Sequence, residues 1–243
     1  MSFYIPRAVH ARLVERLIFN FRLRPEALAH HLPVTWLKPQ VFNGWSVVSF
    51  CILDLKQMML SPLPGFLGYH TTSCAYRCGV IDTSDGAETA SVYITDRNTD
   101  VPLIARLGPW IFLDTIFVVR PKLKHGSSET DVNVEYLDKQ CMFKAEVKPA
   151  SGFASEVFQN LDEFASFIKG GVSSYTPSVY GDALTRVDLH KDEPQYEPLN
   201  ATVDYDSLDG AWSDADIVLD SAVRASGGGK YKWTYRGLKP YAA

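Results

Sequence analysis

The sequence has few cysteines, little net charge and no long apolar run, and each shortage excludes a class of protein. Four cysteines in 243 residues are too few for a disulfide scaffold: Cys51, Cys74, Cys78 and Cys141. A formal net charge of −4 argues against binding to nucleic acid, which usually requires a basic face. No apolar run approaches the roughly 18 residues that cross a membrane. Neither nucleic acid nor a membrane is therefore predicted as a partner.

The N-terminal segment MSFYIPRAVHARLVERL carries charges throughout and has no apolar core of the kind found in signal peptides. We therefore expect the protein in the cytoplasm. No linker rich in Pro, Gly or Ser divides the chain, so residues 1–243 are predicted to form a single domain.

Short catalytic motifs are also missing. The sequence contains no G-x-S-x-G elbow, no H-E-x-x-H and no G-x-G-x-x-G. Cys74 and Cys78 are spaced to share one face of a strand, but a zinc site would need further ligands, and His70 is the nearby candidate. Reduced, buried cysteines are the better interpretation, so we predict neither a metal nor a cofactor.

The residues that are present indicate a β-rich chain with short helices, typical of an α+β, mostly β protein built on a curved or closed antiparallel sheet. Segments rich in β-branched and aromatic residues predict the strands. A capping box beginning at Asn160 predicts a helix that ends near Ile168. The acidic segment 191–210 is predicted to be a loop, and the apolar segment 58–66 is either a loop over the core or a lid over a pocket.

The stretch from Gly68 to Arg120 is predicted to hold the chemistry of the chain. Its first strand, 69–80, places His70, Thr72, Cys74 and Tyr76 on one face. If that face points inward, it gives a pocket a titratable imidazole, two hydroxyls and a thiol; if it points outward, the row is ordinary surface. Asp100 is predicted to cap a helix that stops at Gly108-Pro109, and Trp110–Val119 to form a buried strand.

The order of the elements carries a resemblance. A helix ends at Leu32-Pro33, an F-x-G strand follows at Phe42–Gly44, and a strand ends in Tyr76–Val80. An Ala105-Arg106 pair, an L-G-P-aromatic segment at Leu107–Trp110 and a strand at Gly181–His190 that closes at a histidine complete the order. Over residues 12–200 the chain resembles an uncharacterised family of the acetoacetate-decarboxylase-like superfamily. The resemblance implies a cone-shaped antiparallel β-barrel with an internal pocket and a few flanking helices. It also implies that copies of the chain associate into a homo-oligomer.

True decarboxylases of that superfamily use a lysine that forms a Schiff base with a β-keto acid. The resemblance places that lysine directly after a proline, where this chain has Pro109 followed by Trp110, and no lysine lies between Lys56 and Lys122. The glutamate of those enzymes aligns with Thr72. The resemblance therefore implies a related pocket without its covalent chemistry, unless a lysine from elsewhere enters it, such as Lys122, Lys144 or Lys232.

These observations predict a small-molecule enzyme that binds a keto, enol or aromatic carboxylic acid and acts by non-covalent acid–base chemistry, such as isomerisation, dehydration, cyclisation or decarboxylation. Arg106 is the predicted anion anchor, because a guanidinium suits carboxylates; an ion pair with Asp96 or Asp114 is its structural alternative. His70 or Tyr76 is the predicted proton-transfer group, with Thr72 and Trp110 in the substrate-binding wall. The alternative from another class is a non-catalytic ligand-binding barrel, with a mainly apolar interior.

Overall fold

The computed structural model describes residues 7–227 and 229–242. Most of this part of the chain is β-structure. The strands are β1 (Ala8–Leu23), β2 (Leu37–Pro39), β3 (Ser46–Leu60), β4 (Tyr69–Asp82), β5 (Thr89–Ile94), β6 (Arg97–Thr99), β7 (Ile116–His125), β8 (Thr130–Tyr136), β9 (Cys141–Pro149), β10 (Ser173–Pro177), β11 (Ala183–Lys191), β12 (Gln195–Asp206), β13 (Val218–Ser226) and β14 (Lys230–Pro240). The α-helices are α1 (Pro25–His31), α2 (Pro102–Ile111), α3 (Leu161–Gly170) and α4 (Ser207–Ala211), and a short 3₁₀ helix covers Gly65–Leu67.

Twelve of the strands pair edge to edge into a closed ring. Its order is β1, β13, β12, β9, β8, β7, β6, β4, β5, β10, β11, β14 and back to β1. β3 lies across this ring and pairs with β1 on one side and with β4 on the other. The pairings are antiparallel apart from two parallel ones, β5 with β10 and β6 with β7. The fold is thus mostly β with four helices in the described residues, as predicted at this level.

β3 and β4 separate two hydrophobic clusters because successive side chains of a strand point to opposite faces. Phe50 and Tyr76 face the first cluster, in which the Phe50 ring stacks on Phe143 with centroids 4.2 Å apart. Leu53 and Leu55 face the second cluster. Helix α3 packs on this second cluster through Phe164 and Ile168.

Helix α2 differs from the prediction. It continues through Pro109, so the predicted buried strand Trp110–Val119 is wrong in its first half, and β7 begins only at Ile116. Leu107 and Ile111 belong to the apolar side of the helix, which extends past Pro109. Packing of this apolar side outweighs the tendency of the proline to end the helix. Asp100 is not the N-cap either; Val101 holds that position.

The acidic segment 191–210 was predicted to be a loop, and this is also wrong. Within it, β12 runs from Gln195 to Asp206 between β9 and β13. Along its second half Leu199, Ala201 and Val203 alternate with polar residues and pack on the first hydrophobic cluster. Backbone pairing with β13 and β9 adds to this side-chain burial and holds the strand.

No helix among the described residues is long and apolar enough to cross a membrane.

Candidate functional site

A cavity of about 170 Å³ lies between helix α2 and the second face of β3 and β4. We call it the larger cavity. A dry protein cavity of about 150 Å³ is large enough to hold benzene, so this one suits a ligand with a small ring or a short branched chain. Its walls are mainly apolar and include Leu53, Leu55, Leu103, Ile104, Ile111, Phe112 and Trp233, with Met58, Met59, Leu60 and Tyr69 at one side.

One part of this wall is polar and is built from β4 and β6. Ser73 and Arg77 come from β4, and Arg97, Asn98 and Thr99 from β6. The Nε atom of Arg77 and the Oδ1 atom of Asn98 are inaccessible to solvent and have no hydrogen-bond partner in the structure. Buried polar groups are normally paired, since an unpaired one carries an unfavourable desolvation free energy. Both side chains line the larger cavity, so a ligand bound there would lie against them.

Arg97 differs from Arg77 because the protein itself neutralises it. Its Nε lies 2.9 Å from the buried carboxylate of Asp114 and donates to Thr176 Oγ1 at 3.2 Å, while Nη2 donates to Ser174 Oγ at 3.2 Å. Burial raises the pKa of Asp114, and the charge of Arg97 acts against that increase. Arg97 is held in place, whereas Arg77 makes no ion pair with Asp or Glu among the residues that the structure describes.

The larger cavity contains no lysine, histidine or carboxylate among its described wall residues. The lysines considered as replacements for the Schiff-base lysine lie elsewhere. Lys122 pairs with Glu135, Lys144 pairs with Asp204, and Lys232 is exposed.

The predicted row on β4 does not form one side of the larger cavity. Ser73 and Arg77 line the cavity from the opposite face of the strand, and Cys74 is the member of the row that reaches it. His70 lies at the open end of the strand with its side chain 57% exposed, and its Nε2 bonds to Asp54. Thr72 is half-buried, and its backbone N–H donates to Asp100 Oδ1 at 3.0 Å.

Tyr76 points into the first hydrophobic cluster, away from the larger cavity. Its hydroxyl donates to Asp206, and Ser207 Oγ lies 3.2 Å away. Burial, followed by the charge of Asp206, raises the pKa of the phenol well above its ordinary value. Burial also raises the pKa of Asp206. In this position Tyr76 links β4 to the junction of β12 and α4.

Arg106 and Trp110 lie on the outside of α2. The indole of Trp110 is 71% exposed and Arg106 is also exposed, whereas Leu103, Leu107 and Ile111 of the same helix line the cavity. Asp114, an alternative partner for Arg106, pairs with Arg97 instead. The structure therefore does not bring the five predicted site residues together, and their functional roles stay a prediction.

Arg77, Arg97 and Asn98 were not predicted from the sequence as site residues. Arg77 was quoted only as part of the strand Tyr76–Val80 that carries the resemblance. The available signal was a charged residue inside an otherwise apolar strand, because such a residue is seldom buried without a partner.

The described residues contain no group of three or more His, Cys, Asp or Glu side chains that could hold a metal ion.

Known structures with this architecture provide an independent comparison. Acetoacetate decarboxylase from Legionella pneumophila superposes with a TM-score of 0.61 at 12% identity, covering 94% of this chain and 87% of that one. An acetoacetate-decarboxylase-like enzyme from Sphingomonas wittichii RW1 gives 0.61 at 10% identity, with coverages of 98% and 94%. The chain has the fold of the acetoacetate-decarboxylase-like proteins.

The same fold occurs in MppR, an enduracididine biosynthesis enzyme solved with the condensation product of pyruvate and imidazole 4-carboxaldehyde. It superposes with a TM-score of 0.60 at 12% identity, covering 99% of this chain and 91% of that one. At these identities the acetoacetate-decarboxylase-like likeness establishes the fold alone. No family model matches the chain, and no curated protein matches it.

Proposed function

We propose that this protein is a small-molecule enzyme with the acetoacetate-decarboxylase-like fold that acts on a keto, enol or aromatic carboxylic acid without a Schiff-base lysine. The acid binds in the larger cavity and reacts by non-covalent acid–base chemistry. The observation that carries the proposal is the unpaired Nε of Arg77 in the polar wall of an otherwise apolar cavity.

The shape and polarity of the cavity support this class of ligand. A planar guanidinium binds a carboxylate through two parallel hydrogen bonds, and the free Oδ1 of Asn98 accepts from an enol or acid hydroxyl. The apolar wall formed by Leu53, Leu55 and Ile104 suits the body of the ligand. MppR has also been solved with pyruvate, an α-keto acid, which supports a keto acid as ligand here.

Arg77 replaces Arg106 as the proposed anion anchor. His70 remains the proposed proton-transfer group because it adjoins Tyr69 at the cavity wall, whereas Tyr76 points away from this cavity. For His70 to act, its imidazole has to leave Asp54 and turn towards the ligand.

A non-catalytic ligand-binding protein is the second candidate. The observation in its favour is that no histidine, carboxylate or lysine lines the larger cavity in the described residues. The two candidates differ in turnover. If the enzyme proposal holds, His70→Gln lowers turnover and leaves the affinity for the acid unchanged. If NMR detects no product from any acid that binds, the result supports the binding protein.

The experiment combines a panel of β-keto, α-keto and aromatic acids with thermal unfolding and borohydride trapping. We expect saturable stabilisation by one acid class and no reduced adduct by intact mass. Leu107→Glu places a carboxylate at the partly exposed cavity wall and should weaken acid binding by about tenfold or more through charge repulsion. Leu137→Glu is the matched control on an exposed leucine elsewhere. A lysine adduct, or equal effects of the two variants, would contradict the proposal.

A further inference from the structure

A second, smaller cavity of about 30 Å³ lies beneath helix α3. Arg77 lines both cavities, whereas Arg16 and Lys191 line the smaller one. A volume of this size has room for an occupant comparable to one or two water molecules. The cavity therefore suits a compact species and is too small for the acid proposed for the larger cavity.

The smaller cavity is lined by three cationic side chains together with the neutral polar residues Gln40, Ser49 and Ser91. Arg16 is 4% exposed, its Nη2 lies 3.0 Å from Cys51 Sγ, and its Nε has no partner. The Nε of Arg77 is likewise buried and unpaired. The Nζ of Lys191 donates to the carbonyl of Ile168 at 2.9 Å. None of these three cations makes an ion pair with Asp or Glu in the part of the chain that the structure describes.

Three neighbouring cations, of which Arg16 is buried and Arg77 and Lys191 are half-buried, are unfavourable unless negative charge accompanies them. A lysine can respond by losing its proton, and burial, with the repulsion of Arg16 and Arg77, lowers the pKa of Lys191 to about 7. Arginine is far harder to neutralise; burial and Arg16 lower the pKa of Arg77 only to about 10. The two guanidinium groups therefore stay charged at neutral pH and need an anion.

We propose that the smaller cavity binds a monovalent anion of the size of a halide between the guanidinium groups of Arg16 and Arg77 and the amine of Lys191. The positive charges of the two guanidinium groups attract the anion, and the protonated amine adds a third charge. The site is separate from the acid site but shares Arg77 with it.

The packing of α3 limits the size of this anion. Phe167 and Ile168 line the cavity together with Gly79 of β4. A Cβ atom added at Gly79 would lie 2.7 Å from Cε2 of Phe167, so the aromatic ring sits directly against the glycine backbone. With a cavity of about 30 Å³, this close approach favours a small anion, and we expect selectivity for halides over larger anions such as sulfate.

The first test is thermal unfolding of the full chain in sodium bromide or chloride, with sodium gluconate added to keep the ionic strength constant. We expect a saturable rise in Tm with halide. Lys191→Met should weaken the apparent halide affinity at pH 6 by about tenfold to a hundredfold, as expected for the loss of one hydrogen bond to a charged group. Lys232→Met, which removes an exposed lysine, should leave the affinity unchanged. Identical, unsaturable salt effects in all three proteins would overturn the proposal.

Halide binding should also depend on pH. The charged or titratable groups around Lys191 are Arg16, Arg77, Cys51 and Glu193. Since the Lys191 amine carries its charge mainly below pH 7, the affinity should be higher at pH 6 than at pH 9, and Lys191→Met should lose most of this difference.

Two further measurements separate this site from its alternatives. Crystals soaked in bromide should show an anomalous peak between Arg16, Arg77 and Lys191, and its absence at saturating bromide would contradict the proposal. If halide dependence appears only after Cys51→Ala, a Cys51 thiolate is the native counter-charge and the proposal fails. Leu107→Glu, which weakens the acid site, should leave the halide effect intact, so the two sites can fail independently.

Discussion

The two faces of β3 and β4 differ in chemical character: the first is apolar and aromatic, and the second carries arginines. On the first face Phe50 packs on both Tyr76 and Phe143, and the Tyr76 hydroxyl donates to Asp206. The second face places Arg77 near Arg16. Arg77 lines both cavities, Arg16 lines the smaller one, and the Nε atoms of both are unpaired. One pair of strands therefore stabilises the fold on one side and leaves binding capacity on the other. Unpaired buried charge does not favour folding, so its presence on the second face points to a ligand.

The largest expected effect comes from the first face. Phe143→Ala removes a ring that contacts Phe19, Phe21 and Phe50, and should lower the free energy of unfolding by about 3–5 kcal/mol. Chemical denaturation measures this change. The affinity for acids should be nearly unchanged in the folded fraction, because Phe143 lines neither cavity. A loss of affinity as large as the loss of stability would break the distinction between the faces.

On the second face, Arg77→Met should show the reverse pattern. Replacing an unpaired buried cation with an apolar side chain should raise the free energy of unfolding by about 1 kcal/mol, because a desolvated charge is removed. Both acid and halide binding should be lost. Denaturation and ligand titration of the same sample test both halves, with exposed Arg120→Met as the control. A variant that unfolds readily would show that Arg77 has a structural role.

The last prediction is a pH dependence of stability that only the second face should produce. The pKa of Lys191 is lowered to about 7 in the folded protein, so the unfolded chain binds more protons from about pH 7 up to the ordinary lysine pKa. Stability should therefore rise with pH across this window, with a contribution from Lys191 approaching about 1.4 kcal/mol per pH unit at most. The contribution should be fully present above the ordinary pKa and lost as the pH falls through 7. Chemical denaturation of the protein and of Lys191→Met, both at low halide concentration and across this pH range, measures the contribution of Lys191.

The sequence predicted the class of fold better than the site, and the reason is physical. Alternation and turn signals act locally, so strands such as β4 and the capped helix α3, whose Asn160 Oδ1 accepts from the Glu163 N–H at 2.9 Å, follow from neighbouring residues. The site depends on which strands meet. Arg16, Arg77 and Lys191 are far apart in the chain, and pairing of β1 with β3 and of β3 with β4 brings the two arginines together. No local sequence pattern predicts that these residues lie close together.

The position of Trp110 illustrates the same limit. A Gly-Pro pair followed by an apolar run favours a helix stop and a buried strand, yet α2 continues and leaves Trp110 outside. The apolar side of α2 over the larger cavity decides the outcome, and that side becomes visible only when the cavity is known. His70 was assigned to the correct strand, but the face that lines the larger cavity belongs to Ser73 and Arg77.

The pairing of β1 also has a consequence for the order in which the molecule assembles. One edge of β1 joins β3 after a short connection, but its other edge joins β13 and β14, about 200 residues further along the chain. During synthesis, β1 therefore has a strand edge with unpaired backbone groups until the last described strands have emerged. Such edges invite pairing with other chains. Slow, concentration-sensitive refolding is the behaviour that this topology implies.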